Sequence, residues 1–304
     1  MDQVVSVDEL IDQLLEISHP LAPLDLPLLD AHGATLAEDV YAGSRLVLRK
    51  GSKIRSTQIG LAASIGLNHL PTLPHPRVVV LSAGDDLVEP GQLLGDSEDE
   101  YETNSWMLTT AVKEAGATGF RVHMIPENHE QLLEVIEDQL VRADLIVISG
   151  ESHDESFELI TDVLRQLGEI KTVNPKMSES GRHAFGLIGP DKIPVITLPG
   201  DPVVAYIAAE IFVRPMIRTM LGAQNIYRKI IKAKLTNDLH SKVGERSFIR
   251  GHLANDGGAV VTALPNQSDL TTLSDASGLI LVPEDVAEYK AGEMVKVLIM
   301  ERNG

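Results

Sequence analysis

The sequence predicts an α/β protein: a parallel-type sheet with helices on both faces, preceded by a short helical segment and followed by a small all-β domain. Three observations lead there. Between residues 74 and 222, short continuous apolar runs alternate with amphipathic helical stretches, the pattern of βαβ units whose strands are buried on both faces. Before that stretch, apolar residues recur at helical spacing and are then broken by prolines. After it come only short β-type runs. The predicted domains are 1–73, 74–222 and 223–304.

In chain order, Ser6 and Glu9 have the spacing of a capping box, in which each side chain satisfies a free backbone N–H at a helix start. Val7, Leu10, Ile11, Leu14 and Leu15 give that helix one apolar stripe. Pro20, Pro23 and Pro27 cannot continue it. A second helix is expected from Ser56 to Ser64, stopped by Gly66. Pro71, Pro74 and Pro76 read as a stiff linker. Three apolar runs then end in turn residues: Val78–Leu81 in Ser82-Ala83-Gly84-Asp85, Leu145–Ile148 in Ser149-Gly150, and Pro194–Leu198 in Pro199-Gly200-Asp201. Helices are expected at Ser105–Ala115, Glu130–Arg142, Ser156–Leu167 and Val203–Met220, with Phe120-Arg121-Val122 as a further strand. The tail strands fall at 230–235, 247–253, 259–263, 279–282 and 294–300, with Asp256-Gly257-Gly258 as a hairpin turn.

Composition narrows the function classes. Lys and Arg number 26 against 44 Asp and Glu, a net charge of −18. Phosphate neutralisation needs clustered cations, so a nucleic-acid partner and an anionic membrane surface are both disfavoured. The absence of Cys excludes disulfides, zinc-thiolate sites and thiol nucleophiles. No apolar run approaches the ~20 residues of a membrane span. Met1-Asp2-Gln3 lacks the basic-then-apolar layout of a secretory leader. The expectation is a cytoplasmic protein with no direct membrane insertion.

Ligands of open α/β sheets bind beyond the carboxyl ends of the strands. The candidate loops are therefore Ser82–Glu89, Ser149–Glu158 and Pro199–Ala205. Helix N-termini there favour anions, although a glycine after a strand serves the turn whether or not anything binds. In the second loop, Glu151, His153, Asp154, Glu155 and Glu158 would repel a phosphate. They fit either a divalent cation or a solvated acidic helix start. A second acidic run, 96–102, reads as a solvated loop or a contact for a basic partner. Ser178, Glu179, Ser180, Gly181 and Arg182 make another polar loop, able to meet an anion or to form a surface corner.

Several segments, in order along most of the chain, resemble the molybdopterin molybdotransferase family, the MoeA proteins and the E domain of gephyrin. Ser82-Ala83-Gly84-Asp85-Asp86-Leu87-Val88-Glu89-Pro90-Gly91 resembles the family's S-T-G-D-E-L-V-x-P-G. Leu198-Pro199-Gly200-Asp201-Pro202-Val203-Val204-Ala205 resembles L-P-G-N-P-V-S-A, and Phe212-Val213-Arg214-Pro215 matches F-V-R-P. Ile59-Gly60-Leu61-Ala62-Ala63-Ser64-Ile65-Gly66 resembles I-G-L-L-A-S-L-G. Phe248-Ile249-Arg250 and Leu273-Ser274-Asp275-Ala276-Ser277-Gly278-Leu279-Ile280 resemble motifs of its β domain.

The resemblance implies molybdate insertion into adenylylated molybdopterin with a divalent cation, taken as Mg, by an elongated dimer. It implies Asp85, Glu102 and Asp201 as catalytic positions, with Asp85 and Asp201 on the metal. It places Ser82, Gly84, Ser149, Gly150, Ser178, Arg182, Pro199 and Gly200 around the molybdopterin substrate.

The departures are as specific. Leu36-Ala37-Glu38-Asp39-Val40-Tyr41-Ala42 runs almost directly into Arg49-Lys50-Gly51, so the family's inserted domain is absent. Glu151 and Glu155 replace two glycines, and Ser156 stands for the expected Asp. Ser178 and Gly181 stand where the family has lysines, with Arg182 displaced nearby, and Glu179 stands for a proline. Glu102-Thr103-Asn104 replaces D-S/T-N. Two functions follow: a transferase of molybdenum-cofactor biosynthesis, or a non-catalytic gephyrin-like scaffold. For the second, Tyr227 is the expected partner-binding residue, in a groove between the α/β and β domains. The stripe of the first helix is expected to pack across a homodimer.

Overall fold

The computed structural model describes residues 2–95, 99–122, 128–150, 154–255 and 257–300. Its centre is a seven-stranded sheet in the spatial order Gln3–Val5, Gly168–Pro175, His183–Ile188, Ile193–Leu198, Leu145–Ser149, Arg77–Ser82, Thr118–Arg121. Leu145–Ser149 runs parallel to both neighbours, with Ser149 opposite Ser82 on one side and Leu198 on the other. The continuous apolar runs have a simple cause. Val78, Val80, Leu145 and Val147 face one core, shared with the helices Val7–Glu16 and Asn104–Ala115 and the 202–220 helix. Val79, Leu81, Ile146 and Ile148 face the other, shared with His129–Leu140 and Asp154–Leu167. With no solvent side, no polar alternation is required.

The sheet is mixed. Gly168–Pro175 and His183–Ile188 are antiparallel to each other, and the latter to Ile193–Leu198. The exposed, alternating Glu169-Ile170-Lys171 stretch hides this hairpin from a search for apolar runs. Gln3–Val5 adds a parallel edge strand, so the chain start belongs to the α/β layer. Ser6 caps the first helix through the expected box: its Oγ accepts from the Glu9 amide (3.1 Å), and the Ser6 amide donates to Glu9 Oε2 (2.7 Å). Val7, Leu10 and Leu14 are buried in the chain's own core. Those three residues of the stripe expected to cross a dimer are therefore occupied within the molecule, while Ile11 and Leu15 are half-buried.

Residues 24–73 hold more strand than the expected helical segment. Leu24–Pro27, His69–Leu73 and Thr35–Leu36 form a small sheet beside the Ser56–Ser64 helix. Pro71 lies in a strand rather than the linker, its carbonyl accepting from Ala37 N (2.8 Å). Val40–Ala42 and Arg45–Leu48 close a tight hairpin through Gly43, at φ +60°. The 202–220 helix contains a π-turn at Ala209–Val213, just before Pro215, which has no N–H to donate.

The tail closes into a five-stranded barrel: Ile230–Leu235, Ala259–Ala263, Ser247–Asn255, Gly278–Val282 and Met294–Ile299. Asp256, in the expected turn, lies outside the described residues. One polar contact docking the barrel on the sheet is made by Arg246. Its amide donates to Lys176 O (2.8 Å), its carbonyl accepts from Ser178 N (2.9 Å), and its guanidinium pairs with Asp8 and Glu284. Among the described residues, no helix is long and apolar enough to cross a membrane.

Candidate anion site between the sheet and the barrel

The strand ends meet as the topology demands. Ser82 and Ser149 are buried side by side, and Ala83 N donates to Ser149 O (2.9 Å). Asn104, at the start of its helix, stitches the loops together. Its Nδ2 donates to Ser149 Oγ (2.8 Å) and to Gly200 O (2.6 Å). Ser149 Oγ also reaches Pro199 O (3.3 Å). Asn104 Oδ1 is buried with no partner among the described residues.

Gly84 is buried between these loops, whereas Asp85 is exposed. A Cβ at Gly150 would meet Ile160 Cδ1 at 2.7 Å, so a larger residue there requires the Ile160 side chain to shift. Glu151 and His153 lie outside the described residues, as do Asp96, Ser97 and Glu98 of the other acidic run.

The expected catalytic carboxylates are structurally engaged. Glu102, 1% exposed, accepts from Ser105 N (2.7 Å) and Ser105 Oγ (2.6 Å), completing the helix start. Arg121 binds Glu102, Glu89 and Ser105 Oγ, and stacks on the Trp106 ring. Asp201 caps the 202–220 helix, its Oδ1 accepting from Val203 N (2.9 Å) and Val204 N (3.0 Å). Among the described residues, no three His, Asp or Glu side chains converge. Divalent cations require several oxygen ligands at once, so Asp85 and Asp201 do not by themselves make a magnesium site.

Arg182 turns toward the chain start. It pairs with Asp2 (2.6 Å) and Glu158 (2.7 Å) and lies over the Phe157 ring. The Arg182 hydrogen bond, with a smaller one from Thr172, holds the Asp2 carboxyl below the usual carboxylate range. The loop it closes is pinned from beneath by His183. Nδ1 of that ring lies 2.9 Å from Thr197 O, which can only accept, so Nδ1 carries the proton and Nε2 accepts from Ser180 Oγ (2.9 Å). Full burial pushes the imidazole down to about 4.

On the barrel, Arg250 lies within electrostatic reach of Asp201. Arg250 is 3% exposed on Ser247–Asn255, and its Nε and Nη2 have no hydrogen-bond partner among the described residues. Its backbone is clamped by Gln267, whose Oε1 accepts from Arg250 N (2.7 Å) and whose Nε2 donates to Arg250 O (3.1 Å). Burial pulls the guanidinium below its usual value, while the nearby Glu179 and Asp201 charges oppose this. Arg250, Ser178, Glu179 and Gln267 line a cavity of about 50 Å³, floored by Val204 and Phe248. An unpaired buried guanidinium is costly unless something pairs with it, and a planar fork of donors suits an oxyanion. Sequence reasoning placed Arg250 only in a β-domain motif. The available signal was an arginine between Phe248 and Gly251 on the buried side of a strand, with no acid on the same face.

Tyr227 is 52% exposed at the end of a separate groove of about 370 Å³. The groove's lining is mainly apolar, with Val7, Ile11, Ile211 and Phe248 among it, and carries both acids (Asp8, Asp12, Glu210) and arginines (Arg228, Arg246). Phe212 is core, packed edge-on against His183.

Residues 79–219 match the family model described as a probable molybdopterin binding domain, and residues 232–300 match the MoeA C-terminal region (domain IV). The chain is similar to molybdopterin molybdenumtransferase 1 of Mycobacterium tuberculosis, at 33% identity over 88% of this chain and 64% of that protein. It is 36% identical to molybdopterin molybdenumtransferase 2 of the same organism, over 86% and 65% respectively. It thus spans just under two thirds of these relatives. Among solved structures, it superposes on the molybdopterin biosynthesis MoeA protein of Pyrococcus horikoshii with a TM-score of 0.84 at 20% identity, covering 99% of this chain and 100% of that one. That likeness is one of fold.

Proposed function

The chain belongs to the MoeA-like family, as a member lacking the inserted domain, and on that premise we propose that it acts in molybdenum-cofactor biosynthesis. Its part there is to bind an oxyanion of the pathway, molybdate or the phosphate of molybdopterin, between the sheet edge and the barrel. The observation that carries this reading is Arg250: a buried cation with two unpaired nitrogens, beside Ser178 in an open cavity. Binding is expected to be weak. Ser178 and Gly181 stand where the family has lysines, and Glu179 and Asp201 place negative charge near Arg250. The test is calorimetric titration with molybdate and with molybdopterin, for wild type and Arg250→Gln. Loss of at least tenfold in affinity in the variant supports the reading; equal affinity refutes it.

A second reading, a scaffold without catalysis, has its own observation in the Tyr227 groove, which has an apolar floor and a size typical of ligand sites. The groove's apolar lining favours a partner segment with apolar anchors, and the net charge of −18 favours basic or neutral flanks on that partner. Tyr227→Ala should then lower partner recovery in a pull-down, and equal recovery would remove Tyr227 from the site.

A further inference from the structure

With Nε and Nη2 unpaired, the Arg250 guanidinium takes its direction from packing and from the backbone that carries it. That backbone lies where its strand loses a neighbour. Gly251 and Ala263 are the last register pair between Ser247–Asn255 and Ala259–Ala263, and Arg250 stands one residue beyond them. Leu264 N still donates to Arg250 O (3.0 Å). Arg250 N is met instead by a side chain, donating to Gln267 Oε1 at 2.7 Å. Gln267 Nε2 donates to Arg250 O (3.1 Å) and to Leu264 O (2.6 Å). Both N–H groups of this carboxamide are thereby used. Gln267 lines the cavity, yet it has no donor left for an oxyanion.

The loop that delivers Gln267 is itself tied down. Asn266 is at φ +50°, a left-handed conformation that asparagine adopts more readily than most residues. Its carbonyl accepts from Asp269 N (3.0 Å), and Pro265 O accepts from Thr272 Oγ1 (3.1 Å). Asp269 caps the Leu270–Asp275 helix, its Oδ1 accepting from Thr271 N (2.8 Å).

We propose that Gln267 is a positioning residue of the oxyanion site: its carboxamide stands in for a strand partner and holds the Arg250 backbone so that the unpaired guanidinium reaches the cavity. This deepens the oxyanion reading above and rests on it. Outer hydrogen-bond partners fix the group that meets a ligand without touching the ligand themselves.

The experiment pairs calorimetric titration with molybdate and the NMR resonance of the Arg250 Nε–H, identified by its loss in Arg250→Gln. The proteins are wild type, Gln267→Met, Arg250→Gln and Thr236→Val. Thr236→Val removes an exposed hydroxyl bond to Thr262 (2.7 Å) on the same barrel, away from the cavity lining. Gln267→Met should weaken molybdate binding about tenfold, the lower end of what outer partners cost at metal sites. Its Arg250 resonance should move toward that of solvent-exposed arginines, while Thr236→Val leaves both readouts at wild type. Wild-type affinity in Gln267→Met, with Arg250→Gln still weakened, overturns the positioning role and leaves the oxyanion site standing. Weakened binding with the Arg250 resonance unmoved also overturns it. Affinity unaffected by Arg250→Gln, or no binding by any protein, overturns both readings. Circular dichroism checks the fold of each variant. If Gln267→Met does not fold, Gln267→Asn, whose amide is one methylene shorter, is judged by the same outcomes.

Discussion

Lowering the pH from about 7.5 to about 4.5 should destabilise the fold by about 2.5 kcal/mol through one imidazole, that of His183. The ring is fully buried and held neutral, donating through Nδ1 to Thr197 O and accepting at Nε2 from Ser180. Burial pushes its value down from 6.5 to about 4. Between those two values the unfolded chain binds a proton that the folded chain refuses, so stability falls as the pH falls. The contribution is fully present above about 6.5 and is lost progressively toward about 4, at up to ~1.4 kcal/mol per pH unit. Below about 4 the folded protein itself takes up the proton, and Nε2 can no longer accept from Ser180. The assay is urea unfolding at several pH values for wild type and His183→Gln, whose amide can both donate and accept without titrating. Wild type should lose about 2.5 kcal/mol more than the variant across this range. Parallel pH profiles would refute the assignment of that proton to His183. Asp2 and Asp8, depressed mainly by hydrogen bonds from Arg182 and Arg246, weaken the fold as the pH falls through their lowered values, and do so in both proteins.

Other outcomes are equally specific. Gly186→Ala should cost about 2–4 kcal/mol in urea unfolding, because its Cβ would lie 1.9 Å from Glu169 O in the paired strand, where backbone must move. Leu10→Ala, in the fully buried stripe of the first helix, should cost a similar ~2–5 kcal/mol; a cost under ~1 kcal/mol would show that the helix is not packed as described. A two-fold dimer remains the proposed assembly, now through surface that the chain leaves exposed, such as Leu93, Leu94, Tyr101 and Trp106, rather than the first helix. Sedimentation at micromolar concentration should show about twice 33.0 kDa, and only a 33.0 kDa species would contradict it.

Periodicity along the chain determined the sheet-and-helix core. Runs such as Val78–Leu81 and Leu145–Ile148 are legible because a strand covered on both faces needs no polar alternation, and the loops after them had to line one sheet edge. The capping box at Ser6 and the short strands of the tail were local signals of the same kind, whereas closure of the tail into a barrel came from pairing of strands distant in sequence. Other features were decided by partners distant in sequence. Gly168–Pro175 is a strand because His183–Ile188 and Gln3–Val5 flank it, and its own alternation is too weak to announce it. Arg182 reads as an anion ligand until Asp2 and Glu158 arrive from elsewhere to neutralise it. Arg250 reads as one barrel residue among many until the barrel docks through Arg246 and buries it beside Glu179. Charge balance in a pocket is a sum over groups brought together by the tertiary fold. Sequence supplies those groups, and only the docking of the barrel on the sheet determines which of them face one another.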